Sequence, residues 1–192
     1  VNAGTSTFEI GGNFCYAVQN FGSNAGLTLN DLLVSNRCFD ANIVGPFTVA
    51  GTATFARAGA FSLLGGTISF AGNVGYTAAN LTNPVHTTTA EFIGTANQTI
   101  TQTAGNMLGG TLVVNKTGGT LTATTNLSLT HSLSNVTVNQ GTLDMDGKNL
   151  TVADAFGWTS NIITINAAGT LDMGGGVRTS DTFTNNGGVY IP

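Results

Sequence analysis

The chain has 192 residues, of which 41% are hydrophobic and 7% charged, and its net charge is −4. An ordinary globular domain holds about 25% charged residues; here 27 Gly, 32 Thr and 21 Asn stand in their place. Disorder is excluded by the apolar fraction, and a helical bundle by the scarcity of Lys and Glu. Five singly scattered basic residues cannot follow a phosphate backbone, so no nucleic-acid partner is expected. No apolar run approaches the ~20 residues of a membrane-spanning helix.

In chain order, the first signal is Val1-Asn2-Ala3-Gly4-Thr5: an aliphatic, Asn, small or polar residues, then Gly-Thr. Position 1 is Val with no signal-like segment after it, which predicts a removed leader or excision from something longer. Residues 23–45 break the pattern, and Thr28-Leu29-Asn30-Asp31-Leu32-Leu33-Val34-Ser35-Asn36-Arg37 predicts one short helix or an irregular loop. This stretch reads as an inserted or capping segment. A Thr/Asn/Gly surface almost without lysine points to export, and export to a Cys15–Cys38 disulfide. Such a bridge would staple the excursion to its coil, contributing roughly 3 kcal/mol by loop closure, or would join two stacked coils.

The opening phrase returns along the chain. Gly65-Gly66-Thr67-Ile68 and Gly109-Gly110-Thr111-Leu112 are loose copies. Closer ones follow at Val114-Asn115-Lys116-Thr117-Gly118-Gly119-Thr120, Val138-Asn139-Gln140-Gly141-Thr142 and Ile165-Asn166-Ala167-Ala168-Gly169-Thr170. The last two continue identically, as Leu143-Asp144-Met145 and Leu171-Asp172-Met173. Between the phrases, aliphatics alternate with Thr, Ser and Asn, the period of short strands buried on one face. The repeat is irregular, at about 25 residues per unit, within the range of solenoids. With short strands and frequent corners it predicts one all-β domain over 1–192, a right-handed parallel β-helix. Leu112, Val114, Leu121, Leu127, Leu129, Val136, Val138, Leu143, Leu150, Val152, Ile163, Ile165 and Leu171 are expected to point inward.

The stretch 91–152 resembles a repeat of large secreted bacterial proteins of the haemagglutinin and autotransporter-passenger type. The resemblance is carried by Gly94-Thr95-Ala96-Asn97-Gln98-Thr99-Ile100-Thr101, by 110–121 and by Gly141-Thr142-Leu143-Asp144-Met145-Asp146-Gly147-Lys148-Asn149-Leu150-Thr151-Val152. Phe183-Thr184-Asn185-Asn186-Gly187-Gly188 is similar to the segment that leads into a further repeat. The resemblance implies a right-handed parallel β-helix displayed outside the cell, a scaffold that hosts adhesins, filaments and enzymes. Residues 1–90 depart from it.

Catalysis has little to work with. His86 and His131 stand alone, and no Ser occupies a nucleophile elbow. Asp144 and Asp172 hold matching places and are expected to stack, with Asp146 and Lys148 near them; solvated turn residues explain this better than a glycosidase pair. Asp144-Met145-Asp146-Gly147 opens like a calcium loop, but its later ligands are absent. Hence no metal, no cofactor and no enzymatic activity are expected. Sequons at Asn80, Asn97, Asn115, Asn126, Asn135 and Asn149 follow from an Asn- and Thr-rich composition. Thr-x-Thr pairs at 5/7, 52/54, 99/101, 120/122/124 and 182/184 recur without a constant period. That is too irregular for an ice-binding ladder.

The expected function is therefore mechanical: a subunit of an extracellular, cell-surface filament or sheath, self-associating head to tail. Val1, Thr5, Thr7, Phe8 and Ile10 would meet Phe183, Val189, Tyr190 and Ile191 of the next copy. The alternative is an adhesin stalk binding a glycan or another surface component through Phe156 and Trp158, with Tyr190 as a third member. A polysaccharide enzyme and an ice-binding protein are the remaining readings.

Overall fold

Short runs that alternate apolar and polar residues make strands. A coil of such strands can hide its inward face only by stacking on the next coil. The computed structural model describes residues 6–11, 19–22, 26–35, 41–44, 46–56, 62–63, 66–77, 88–104, 110–130, 134–153 and 161–192, with the backbone alone at 19–22, 41–44 and 62–63. Every ladder between described strands is parallel. The protein is a parallel β-solenoid, and the described residues contain no helix.

Its coils present three faces. The first stacks Thr28–Leu29, Phe47–Val49, Thr67–Phe70, Thr89–Phe92, the opening halves of Thr111–Ala123, Asn135–Asp144 and Ile162–Asp172, then Thr182–Asn186. The second stacks Thr7–Ile10, Asp31–Val34, Ala53–Phe55, Val74–Tyr76, Gln98–Gln102, the closing halves of the three long strands, then Val189–Ile191. On the third, Gln19–Gly22, Ala41–Val44 and Ser62–Leu63 form one ladder, and Leu127–Leu129, Leu150–Val152 and Arg178–Thr179 another. Coil length varies: Leu32, Ala53, Val74, Ile100 and Ala123 are successive partners, yet their spacing along the chain is uneven.

All thirteen residues expected to point inward are buried. They join one continuous core cluster that runs from Leu29 to Met173. Aromatics fill its N-terminal part: Phe55 stacks on Tyr76 with centroids 5.0 Å apart, and Phe70 meets Phe55 edge-on at 6.3 Å and Phe92 at 5.6 Å. Leu, Val, Ile and Met fill the rest. The described residues before 90, which depart from the resemblance, nevertheless continue the same faces in register. The short helix expected within 28–37 is replaced, in its described part, by strands Thr28–Leu29 and Asp31–Val34. Leu29, Leu32 and Val34 are buried on the inward side of these strands. An aliphatic cluster that looked helical is thus two inward edges separated by the Asn30 corner, because neighbouring coils supply the pairing that no short local segment can. Of 23–45, residues 23–25, 36–40 and 45 lie outside the described residues.

In its three closer copies the Gly-Thr phrase marks the bend between the first and second faces, whereas Gly66-Thr67 and Gly110-Thr111 open the first face. Gly141 has φ +80°, a conformation that L side chains resist. Its register partner Gly169 sits so close to the coil before it that an added Cβ would lie 2.3 Å from the Val138 carbonyl oxygen. The Asn of the phrase has a separate purpose. Asn166 Nδ2 donates to Asn139 Oδ1 at 2.7 Å and Asn186 Nδ2 to Asn166 Oδ1 at 3.0 Å, a ladder of carboxamides along the rod. Among the described residues, no helix is long and apolar enough to cross a membrane.

Candidate functional site

Three places carry polar or unsatisfied chemistry. The first is the stacked turn after the second face. Asp144 and Asp172 are register partners, as their matching phrases predicted. Each carboxylate closes its own turn: Asp144 Oδ1 accepts from the Asp146 amide at 2.8 Å, and Asp172 Oδ1 from the Gly174 amide at 2.9 Å. Asp146 has φ +46°, and its exposed carboxylate pairs with Lys148 at 3.2 Å. The described residues contain no group of three His, Cys, Asp or Glu able to hold a metal. Asp144 and Asp172 each cap a turn.

The second place is inside the solenoid. Thr88, Gln98, Gln102, Lys116, Ser134 and Asn161 are buried among the apolar ladders. Gln102 ties neighbouring coils by accepting from the Ser128 amide at 2.7 Å and donating to the Ser128 carbonyl at 3.3 Å. Lys116 is the unexpected member, with only 1% of its surface exposed. The closing half of its strand pairs with Gln98–Gln102. From this corner Lys116 reaches inward, where Nζ donates to the Ala96 carbonyl at 2.8 Å and to Gln98 Oε1. Gln98 Nε2 in turn donates to the Phe70 and Gly72 carbonyls at 2.9 and 2.7 Å. Burying an ion costs several kcal/mol even after relaxation, and burial lowers the Lys116 pKa. Nothing in Val-Asn-Lys-Thr-Gly-Gly-Thr signalled this. The Lys occupies the variable gap of the phrase, where a solvated residue is the default.

The third place is the C-terminal part of the stack. Phe183, partner of the buried Ile163, and Tyr190, partner of the buried Leu171, are half-buried and pack against the core. The Arg178 guanidinium lies 4.1 Å from the Phe183 ring centroid and 5.9 Å from that of Tyr190, a cation–π lid on the apolar column. Val189 and Ile191 face outward, 53% and 43% exposed, and Val177, before the third-face strand, is 62% exposed. At the other end Phe8, partner of the buried Leu32, is 37% exposed, with Thr7 exposed and Ile10 half-buried.

Several predicted residues lie outside the described ones: Val1 and Thr5, both cysteines of the Cys15–Cys38 pair, Asn80, His86, His131, and the platform residues Phe156 and Trp158. The described sequon asparagines have structural employment. Asn97, Asn126, Asn135 and Asn149 each accept, through Oδ1, the backbone amide of the next coil at 2.9 to 3.0 Å, and Asn115 donates to Glu91. Threonines form outward ladders that spacing along the chain concealed. Thr99 faces Thr122, Thr120 faces Thr142, and Thr142 faces Thr170. The ladders are interrupted where Gly75 faces both Thr54 and Thr101, and where Asp144 faces Thr122.

The geometry defines a parallel β-solenoid in which many described polar side chains bond to a neighbouring coil. No family model matches the chain, and no curated protein or solved structure does either.

Proposed function

We propose that this chain is a structural element of an extracellular surface assembly, stacking head to tail with further copies into a filament or sheath. One observation carries the reading. Among the described residues, the inward ladders of successive coils join into one continuous apolar core from Leu29 to Met173, a scaffold suited to a mechanical role. Along the flanks the outward positions are mostly Thr, Asn, Ser and a few acids, which interact well with water, with Leu33, Val113 and Ile162 half-buried among them. Edge strands with unpaired backbone groups beside apolar side chains are templates for another strand. A contact that joins one end to the other, without closing a ring, propagates as a filament. Phe8 and Ile10 would continue the inward ladder beyond Tyr190, while Val177, Val189 and Ile191 would be covered from the side. The sparse lysine and the Thr/Asn/Gly surface support a place outside the cell.

The test is deletion of residues 1–10, read by negative-stain microscopy and sedimentation. The full chain is expected to form filaments, and the shortened chain to fold with a β-rich spectrum and sediment as a monomer. Filaments that persist after the deletion refute this interface. A full chain that remains monomeric at high concentration refutes the polymer reading.

A further inference from the structure

We propose that Lys116 and Gln98 become joined by an isopeptide bond inside the solenoid, a covalent staple between adjacent coils that the chain makes by itself. The amine and the carboxamide meet in the interior, each residue only 1% exposed. Lys116 Nζ is held between the Ala96 carbonyl and Gln98 Oε1. The Gln98 carboxamide is fixed from its other end, because Nε2 donates to two backbone carbonyls, those of Phe70 and Gly72. Both side chains are therefore held against each other before any chemistry begins, and much rotational freedom is already lost.

The charge state points the same way. Among the described residues no carboxylate lies within ion-pair distance of Lys116 Nζ, and the ion pair they do contain is Lys148 with Asp146. An ammonium facing only neutral oxygens is poorly compensated. Burial shifts Lys116 toward the free amine, and the free amine is the nucleophilic form. In the reaction Nζ adds to Gln98 Cδ, the Cδ–Nε2 bond breaks, and one Nζ proton passes to the departing nitrogen. Ammonia leaves, and a secondary amide remains in which neither side chain can carry charge. The product closes a loop across 18 residues of chain and ties the Gln98–Gln102 strand to the Thr111–Ala123 strand. Coils held only by hydrogen bonds separate one at a time under tension, whereas coils joined here cannot.

The experiment is denaturing mass spectrometry of the full chain, followed by tryptic mapping. The bond predicts a deficit equal to the mass of one ammonia, located by fragmentation to the segment containing residues 98 and 116, with no tryptic cleavage after Lys116. Lys116→Arg should restore the calculated mass, since a guanidinium donates hydrogen bonds but is not acylated under these conditions. A wild-type chain at its full calculated mass, cleaved after Lys116, overturns the proposal. So does a deficit that persists in Lys116→Arg or maps to another segment.

Discussion

Replacing Tyr76 by Phe is expected to stabilise this protein, against the usual direction of core substitutions. Tyr76 is 2% exposed, its ring is stacked within 11° of parallel on Phe55, and its hydroxyl has no hydrogen-bond partner among the described residues. A buried polar group left unsatisfied costs about 1–3 kcal/mol, and the substitution removes that group while keeping the ring and its contacts. With a urea slope of about 2 kcal/mol per molar, mid-range for such proteins, the midpoint should rise by roughly 0.5–1.5 M. Alkaline titration adds a second signature. Burial pushes the Tyr76 pKa well above its ordinary 10.0, so above pH 10 the unfolded chain releases the proton while the folded one retains it. Fewer protons are then bound in the unfolded state, and stability must fall as pH rises. The contribution is full below pH 10 and is lost as the pH climbs through the folded-state value. Lys116 acts oppositely: its folded pKa is lowered, so any free amine there makes stability rise with pH up to about 10.5. The difference between wild type and Tyr76→Phe cancels the lysine. The stability gap should therefore widen in favour of the variant above pH 10. A midpoint lowered at neutral pH would show that the hydroxyl is hydrogen-bonded and the reasoning wrong.

Other substitutions test the stack itself. Leu143, fully buried between Leu121 and Leu171, should cost about 2–5 kcal/mol when cut to Ala, read by chemical denaturation. Gly169→Ala drives a Cβ toward the Val138 carbonyl and should cost about 1–3 kcal/mol of overpacking; an unchanged thermal midpoint would contradict that close approach. At Asp146, whose φ is +46° where the next coil has Gly174, Gly should be tolerated better than Ala by about 1 kcal/mol, compared by thermal melts of the two variants. Asp172→Asn keeps the acceptor for the Gly174 amide but removes a like charge facing Asp144. It should stabilise by about 0.2–1 kcal/mol, and the gain should vanish in high salt.

The inward residues of 112–171 were legible because the local pattern and the tertiary demand coincide there: alternation chooses the face, and the Gly-Thr phrase places the bend. Stacking of Asp144 on Asp172 followed from the shared phrase alone. The early coils hid for the opposite reason. Leu32, Ala53 and Val74 share one ladder, yet the three sequences around them have no common phrase. Parallel pairing asks only for an apolar residue at the right depth. Asp31-Leu32-Leu33-Val34 also places aliphatics where a helix would want them, and only the neighbouring coils decide in favour of a strand. The buried Lys116 had no local signal, since its environment comes from Ala96 and Gln98 on another coil. Threonine ladders were missed because register, not distance along the chain, brings Thr99 to Thr122.

Why a solenoid tolerates coils of such different length is answered at its corners. Leu121, Leu143, Leu171 and Tyr190 are successive partners although the chain between them differs in length from coil to coil. Insertions and deletions therefore fall between faces and leave the ladders intact. Apolar ladders forbid a slip by one residue, which would turn the buried face outward, but a slip by two would bury similar surface. Side-chain hydrogen bonds that reach one coil away resist such slips. Asn97 to the Thr120 amide, Asn126 to the Asn149 amide, Asn149 to the Val177 amide and Asn135 to the Ile162 amide each connect one corner to the next. A slip by two positions would leave these carboxamides and amides to find new partners. The high Asn content and the near absence of charge therefore share a cause. Short neutral amides can cap a corner without the like-charge repulsion that stacked carboxylates would accumulate along the rod, and a chain built this way keeps its register while its period wanders.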